Sequence, residues 1–457
     1  MASWFDAATE YAATWLEYQV RHSDLPGLQF AIGMGGRDIV EGAFGKPALS
    51  AKDELTSRHL LRVASHSKTF TAAGILKLVD AGRLRLDDPS SAHIAGLHPE
   101  IGQATIRQLL THSGGTTRDG LDAGQWQIRR PFLNEPELKS ALAAPPVVPV
   151  NTRFKYSNHG YGLLGLIIAK ITGESYRSWM QREIVQAAGL SRTYVDAPSD
   201  AQTPLARGAS HRLIGRGRHE IDTSIPTNAL AAATGFASTA GDLVRFFRQL
   251  SPEAENGWLS IAARREMTRR HWLVPDMSVE RHYGLGTMHG NTSGWAWFGH
   301  SGVFPGCLSH TAVVPGADVA VSAIVNGVET QPALLVDGVL AILRAIREGG
   351  SASPATASWR GRWWTPWAAF DFVPLENKVL VLAPAQANPL IDCLELGEVS
   401  ETSARIARAG GFANFGEYAR LIKDTSGKPK ELWLGGTKLL SENDISREIG
   451  ERFAKGA

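Results

Sequence analysis

Apolar residues recur at helical spacing in several long stretches of the chain and alternate or cluster as strands in others. Near the N-terminus Ala8, Tyr11, Ala12, Trp15 and Leu16 fall on one helical face, which predicts an amphipathic helix packed on the protein surface. Gly27 to Lys46 reads as a hairpin: the runs Leu28–Ile32 and Asp38–Val40 flank Gly33-Met-Gly-Gly36. That glycine cluster reads as a turn, since it lacks the spacing of a dinucleotide-binding loop. Helices are expected at 65–81, 159–172 and 239–250, with Gly82 placed to end the first. Thr311–Pro315 and Asp318–Val325 are β-branched strand signals separated by Pro315-Gly316, and a helix over Pro332–Arg347 closes the segment. Strands at both ends with helices between predict an α+β fold, in which one sheet joins the two ends of the segment around a helical insertion.

The pattern breaks at 349–358, Gly-Gly-Ser-Ala-Ser-Pro-Ala-Thr-Ala-Ser, which reads as a linker between a domain at 1–348 and a smaller one at 359–457. The tail holds strand-like runs at Lys378–Leu382, Ala404–Ala407 and Glu431–Leu434, with turns at Thr425–Gly427 and Gly435-Gly436. This is the rhythm of a small antiparallel sheet or barrel. Trp359, Trp363, Trp364 and Trp367 cluster at its start and are expected to serve packing.

Composition narrows the functional classes. With 457 residues, 43% of them hydrophobic, the chain can build two or three packed units. Basic and acidic residues number 47 and 45, a net charge of +2, so there is no electrostatic case for nucleic acid or an anionic membrane as partner. Two cysteines, Cys307 and Cys393, make no disulfide framework, and no metal-ligand spacing occurs, so no cofactor or metal is expected. No apolar run approaches the ~20 residues of a membrane span. The N-terminus lacks the basic and apolar regions of a signal sequence, and a cytoplasmic location is the expectation. Self-association stays open.

Three short motifs carry candidate chemistry. Ser65-His-Ser-Lys68 opens a predicted helix, which stacks Ser65 and Lys68 on one face in its first turn. An ammonium within reach of the hydroxyl, together with the positive helix end, suits a serine nucleophile. Tyr156-Ser-Asn158 follows an extended stretch, so Tyr156 and Asn158 project to the same side. A phenol with a pKa lowered by a lysine can shuttle protons, and an amide can hold a substrate carbonyl. In His300-Ser-Gly302, the glycine lets a ligand approach the backbone, and the N–H groups of Val303 and Ser65 are candidate oxyanion donors. His66, His112 and His159 read as structural.

In this order the three motifs resemble the penicillin-recognising serine hydrolases: class C β-lactamases, D-Ala-D-Ala carboxypeptidases, D-aminopeptidases and related esterases. Thr105–Gly114, Phe154–Gly165 and Ala237–Leu243 resemble the same family, and the likeness spans roughly residues 7–347. The tail resembles the lipocalin-like barrels appended to some members, where such a barrel would cap the cleft and admit small substrates. The resemblance implies a β-lactamase-like fold and an acyl-enzyme mechanism. Ser65 is the implied nucleophile and Lys68 and Tyr156 the proton carriers, while Asn158, His300, Gly302 and Val303 bind the substrate and its oxyanion. His300 stands where β-lactamases carry lysine and would pair with a carboxylate only when protonated. A small-molecule or short-peptide substrate is therefore expected, with amide or peptide bonds first, esters second and β-lactams third. Acyl transfer uses the same residues, and a non-catalytic scaffold is the reading from another class.

Overall fold

The computed structural model describes residues 3–198, 204–255 and 257–454, and the chain divides into two compact units. One unit comprises Leu25–Val336; the other joins the N-terminal segment, up to Asp24, to the chain from Asp337 onward.

The Leu25–Val336 unit is built on an eight-stranded antiparallel sheet. Its strand order is Val40–Gly45, Gly27–Met34, Val319–Val325, Cys307–Val314, Trp295–Phe304, Met288–Thr292, His282–Tyr283 and Trp272–Leu273. The strand nearest the N-terminus thus lies beside one of the last, in a register that pairs Leu28 with Val325 and Phe30 with Ala323. This is the predicted closure of the sheet by the two ends of the segment. The hairpin's second strand runs from Val40 to Gly45, displaced from the expected Asp38–Val40. Gly42 sits opposite Phe30, and a Cβ there would fall 2.4 Å from the ring, so this strand carries little side-chain signal. The expected helices form at His66–Asp80, Asn158–Thr172 and Ala240–Gln249, and Gly173 ends the second in the left-handed conformation.

The helix His66–Asp80 is almost entirely buried. It packs against the helices Asn158–Thr172 and Ala231–Thr234, with Phe70 stacked between Phe236 and Phe246 at 4.4 and 3.8 Å. The chain enters it through Leu61–Arg62, which pairs with Ala237–Ser238. Arg62 is fully buried there. Its guanidinium pairs with Asp196 at 2.8 Å, donates to the carbonyls of Thr223, Gly235 and Ile225, and lies over the Phe304 ring. A buried charge needs such complete pairing to be tolerated, and the pairing ties the strand before Ser65 to three other segments.

In the second unit, eight antiparallel strands follow one another from Gly361–Trp364 to Thr437–Leu439. Paired backbone hydrogen bonds between Trp364 and Leu440, 2.8 and 3.0 Å, join the first strand to the residue after the last and nearly close a barrel. Trp359 and Trp363 lie in its apolar core with Phe372, Val381, Leu396 and Ile406, whereas Trp367 is exposed. The stretch read as a linker contains a short helix, Pro354–Ala357, capped by Ser353. The N-terminal helix Trp4–His22 buries Ala8, Ala12, Trp15 and Leu16 as its spacing predicts, and Trp15 donates to the Pro384 carbonyl at 3.2 Å.

Candidate active site

Ser65 is the residue immediately before the helix His66–Asp80, so its N–H belongs to the donors that no intrahelical carbonyl accepts. Ala64 ahead of it has φ +44°, a left-handed conformation unusual for alanine. The neighbourhood holds it in place: Ser67 Oγ donates to the Ala64 carbonyl at 2.5 Å and accepts from Phe236 N–H at 2.9 Å. Strain fixed by surrounding hydrogen bonds is typical of a functional turn.

Lys68 stands one turn along, fully buried. Its Nζ donates to Ser65 Oγ at 3.1 Å, to Asn158 Oδ1 at 2.7 Å and to the Ala233 carbonyl at 2.9 Å. Burial holds the pKa of the amine well below the usual lysine value; Asp119 pushes it back up and Arg118 lowers it further. The Tyr156 hydroxyl donates to the same Ser65 Oγ at 2.8 Å, and its ring lies 4.7 Å from Lys68 Nζ. The first two motifs therefore meet at one oxygen atom.

Three expectations change in the light of this geometry. The phenol of Tyr156 is not acidified by its lysine neighbour. Burial raises its pKa, which outweighs the lowering by the Ser65 hydrogen bond, so the resting group is a neutral proton donor. The amide of Asn158 takes internal partners at both ends, Lys68 at its oxygen and Asp119 at its nitrogen, 2.6 Å away. One N–H and one lone pair are left for a substrate. His300 is also committed. Its Nδ1 lies 2.6 Å from the Ser301 carbonyl, which can only accept, so Nδ1 carries the proton and Nε2 accepts from the Tyr283 hydroxyl at 2.9 Å. Burial, His66 and Lys68 together hold its pKa well below the ordinary histidine value. The ring expected to orient substrate, and to pair with a carboxylate only if protonated, is thus a neutral ring that braces its own strand.

That strand, Trp295–Phe304, pairs with Met288–Thr292 only as far as Gly299. On its other side Phe304 and Cys307 close the two-residue turn Pro305-Gly306. Antiparallel pairs alternate between bonded and non-bonded, so the backbone groups of Ser301 and Val303 point away from Cys307–Val314, toward the unpaired edge. The Ser301 carbonyl, taken by His300, agrees with this parity. Val303 N–H is therefore on an open edge, as an oxyanion donor requires. Gly302 has a role other than admitting a ligand. A Cβ there would meet the Val63 carbonyl at 2.1 Å and Ser309 Oγ at 2.4 Å, so glycine lets the strand lie against the backbone two residues before Ser65.

His66 and His112 are structural, as read. His66 bridges the Val63 carbonyl and Thr311 Oγ1, each at 3.0 Å, and burial takes its pKa to about 3. His112 accepts from Ser157 N–H at 3.1 Å, and its ring packs tilted against that of Tyr156, with centroids 4.2 Å apart. Both ring nitrogens of the buried His159 lack a hydrogen-bond partner among the described residues.

Asp119 is the participant the motifs did not reveal. It lies in the polar stretch Thr116–Gly120, far from each motif in sequence and without a signature of its own. The tertiary fold brings it in. Ser157 Oγ caps the helix at Gly160 N–H, accepts from Thr116 Oγ1 at 2.7 Å and donates to the Thr117 carbonyl at 2.6 Å. Asn158 N–H donates to the Arg118 carbonyl at 3.0 Å, which sets Asp119 beside the Asn158 amide.

With the fold and this constellation established, comparison with known proteins places the chain: it belongs to the Beta-lactamase family, whose family model matches residues 12–346. It is 26% identical over 318 residues to penicillin-binding protein 4 of Amycolatopsis lactamdurans, covering 66% of this chain and 81% of that protein. Several further curated relatives are matched over 37% of their own length. Among solved structures, the octameric penicillin-binding protein homologue from Pyrococcus abyssi aligns with a TM-score of 0.66 at 23% identity, over 95% of this chain and 100% of that one. A D-stereospecific amidohydrolase from Streptomyces sp. aligns with a TM-score of 0.57 at 26% identity, over 69% of this chain and 94% of that one. No helix among the described residues is long and apolar enough to cross a membrane.

Proposed function

We propose that the protein is a serine hydrolase acting through an acyl-enzyme on small amide or peptide bonds, with a preference for D-residues. The observation that carries this reading is the pair of hydrogen bonds converging on Ser65 Oγ, from Lys68 at 3.1 Å and Tyr156 at 2.8 Å. A buried amine with a lowered pKa can rest neutral. Its two N–H then serve Asn158 and Ala233, while its lone pair accepts from the Ser65 hydroxyl and can take that proton. A buried phenol with a raised pKa can give one.

In the proposed cycle Ser65 Oγ bonds to the substrate carbonyl carbon as its proton passes to Lys68 Nζ. The N–H groups of Ser65 and Val303 receive the oxyanion; one such donor is worth ~10²–10³ in rate. As the bond to the leaving nitrogen breaks, Tyr156 supplies its proton and regains one from Lys68. Water then enters by the same route in reverse and frees Ser65. The remaining N–H of Asn158 and the strand edge braced by His300 and seated by Gly302 orient the substrate.

Likeness to a D-stereospecific amidohydrolase supports the amide reading and the D-preference. The neutral His300 favours acyl donors without a carboxylate beside the reacting bond, which puts esters second and β-lactams third. Likeness to an octameric homologue supports self-association. The test is kcat/KM for a D-alanine anilide, its L-enantiomer, a short-chain aryl ester and a penicillin. The reading expects the D-anilide to be preferred over its enantiomer and all turnover to vanish in Ser65→Ala. Turnover retained by Ser65→Ala would contradict it.

A further inference from the structure

Behind Lys68 runs a second line of polar groups that the three motifs do not contain. Asn158 Oδ1 accepts from Lys68 Nζ at 2.7 Å, and its Nδ2 donates to Asp119 Oδ1 at 2.6 Å. The same Asp119 oxygen accepts from Trp126 Nε1 at 2.8 Å, and Arg118 Nε lies 3.2 Å from the other oxygen. The Asp119 side chain is nine-tenths buried, whereas that of Arg118 is 64% exposed. An amide can face a cation with its oxygen only if its nitrogen finds an acceptor on the far side, and Asp119 supplies that acceptor.

The other titratable groups around Lys68 come from every element packed on it. Tyr156 precedes the helix Asn158–Thr172, Tyr161 lies within it, His112 sits in the loop beneath Tyr156, and His300 is on the sheet. Burial raises the two phenols and lowers the two imidazoles, so all four are uncharged near neutrality. Asp119 and Arg118 are the charges that remain to act on the amine.

We propose that Asp119 is a positioning residue that, through Asn158, holds the Lys68 amine against Ser65 and, in opposition to Arg118, sets the charge balance around it. This rests on the serine hydrolase reading above. Lys68 has to be neutral to accept the serine proton, so acylation rises with pH through the pKa of the amine. A negative charge behind the amine favours its protonated form and moves that limb to higher pH; a positive charge moves it to lower pH.

The experiment is the pH dependence of Ser65 acylation by an aryl ester in the intact chain. Asp119→Asn should shift the acid limb down by about one pH unit and reduce the plateau rate, while Asp119→Glu should return the limb toward its original position. Arg118→Ala should shift the limb the other way, by a few tenths of a unit as befits an exposed group. Should Asp119→Asn not fold, the direction of the Arg118→Ala shift still decides the matter. A limb that stays in place in these variants, with only a pH-independent loss of rate, would overturn the proposal. Failure of the unaltered enzyme to acylate would overturn the hydrolase reading with it, whereas acylation with an unmoved limb would overturn the role of Asp119 alone.

Discussion

Gly302 and Val63 approach so closely that a Cβ on the glycine would stand 2.1 Å from the Val63 carbonyl oxygen. The third motif is thereby seated on the backbone that leads into Ser65. Gly302→Ala has to push these two segments apart or distort one of them, and overpacking of this kind costs ~1–3 kcal/mol. We expect a lower melting temperature together with at least about a ten-fold fall in kcat, because the Val303 and Ser65 N–H groups separate. Calorimetry and steady-state kinetics on the same preparation check this; an unchanged kcat would show that the contact does not shape the site.

Tyr156→Phe removes the hydroxyl on Ser65 Oγ and leaves the ring beside Lys68 and His112. The fold should be unaffected. Loss of a positioned proton donor lowers rates by ~10²–10⁴, and the deficit should be larger for an anilide than for an aryl ester, whose leaving group needs no proton. Equal losses on both substrates would argue against donation by Tyr156.

His300 lies buried with its pKa well below the ordinary value and both ring nitrogens in use. Held well below the ordinary histidine value by burial, the ring stays neutral around that value and at higher pH. The ratio of kcat/KM for a carboxylate-bearing substrate to that for its uncharged analogue should therefore show no histidine titration across this range. A ratio that climbs as pH falls through about 6.5 would mean that His300 gains a proton and binds the carboxylate.

Arg62 and Asp196 form an ion pair with both side chains essentially inaccessible. Arg62→Met would leave Asp196 buried with Arg177, itself 54% exposed, as its remaining cation. Removing one partner of a buried pair costs ~3–5 kcal/mol. Urea unfolding should show a loss of that order, and a change below about 1 kcal/mol would show that the pair is structurally idle.

Local sequence made much of this architecture legible. The helix over Asn158–Thr172 has an apolar periodicity and a terminal glycine, and Ser65 with Lys68 follows from one helical turn. The hairpin strand Val40–Gly45 was harder to place, because Gly42 leaves its room to Phe30 across the pair. In the barrel unit the runs at Lys378–Leu382, Ala404–Ala407 and Glu431–Leu434 correspond to strands, while Leu394–Gly397 and Thr437–Leu439 are too short to show an alternation. The site's electrostatics were not legible, for a common reason. The raised Tyr156, the neutral His300 and the role of Asp119 all depend on burial and on partners such as Tyr283 and Asn158, which only the folded chain supplies.

The most direct test is the intact mass of the protein after brief exposure to an aryl ester or a D-alanyl amide, beside Ser65→Ala. The account predicts a gain equal to the acyl group in the unaltered chain, located on the peptide containing Ser65 and absent from the variant. An adduct of the same size in Ser65→Ala, or hydrolysis undiminished by the substitution, would contradict it.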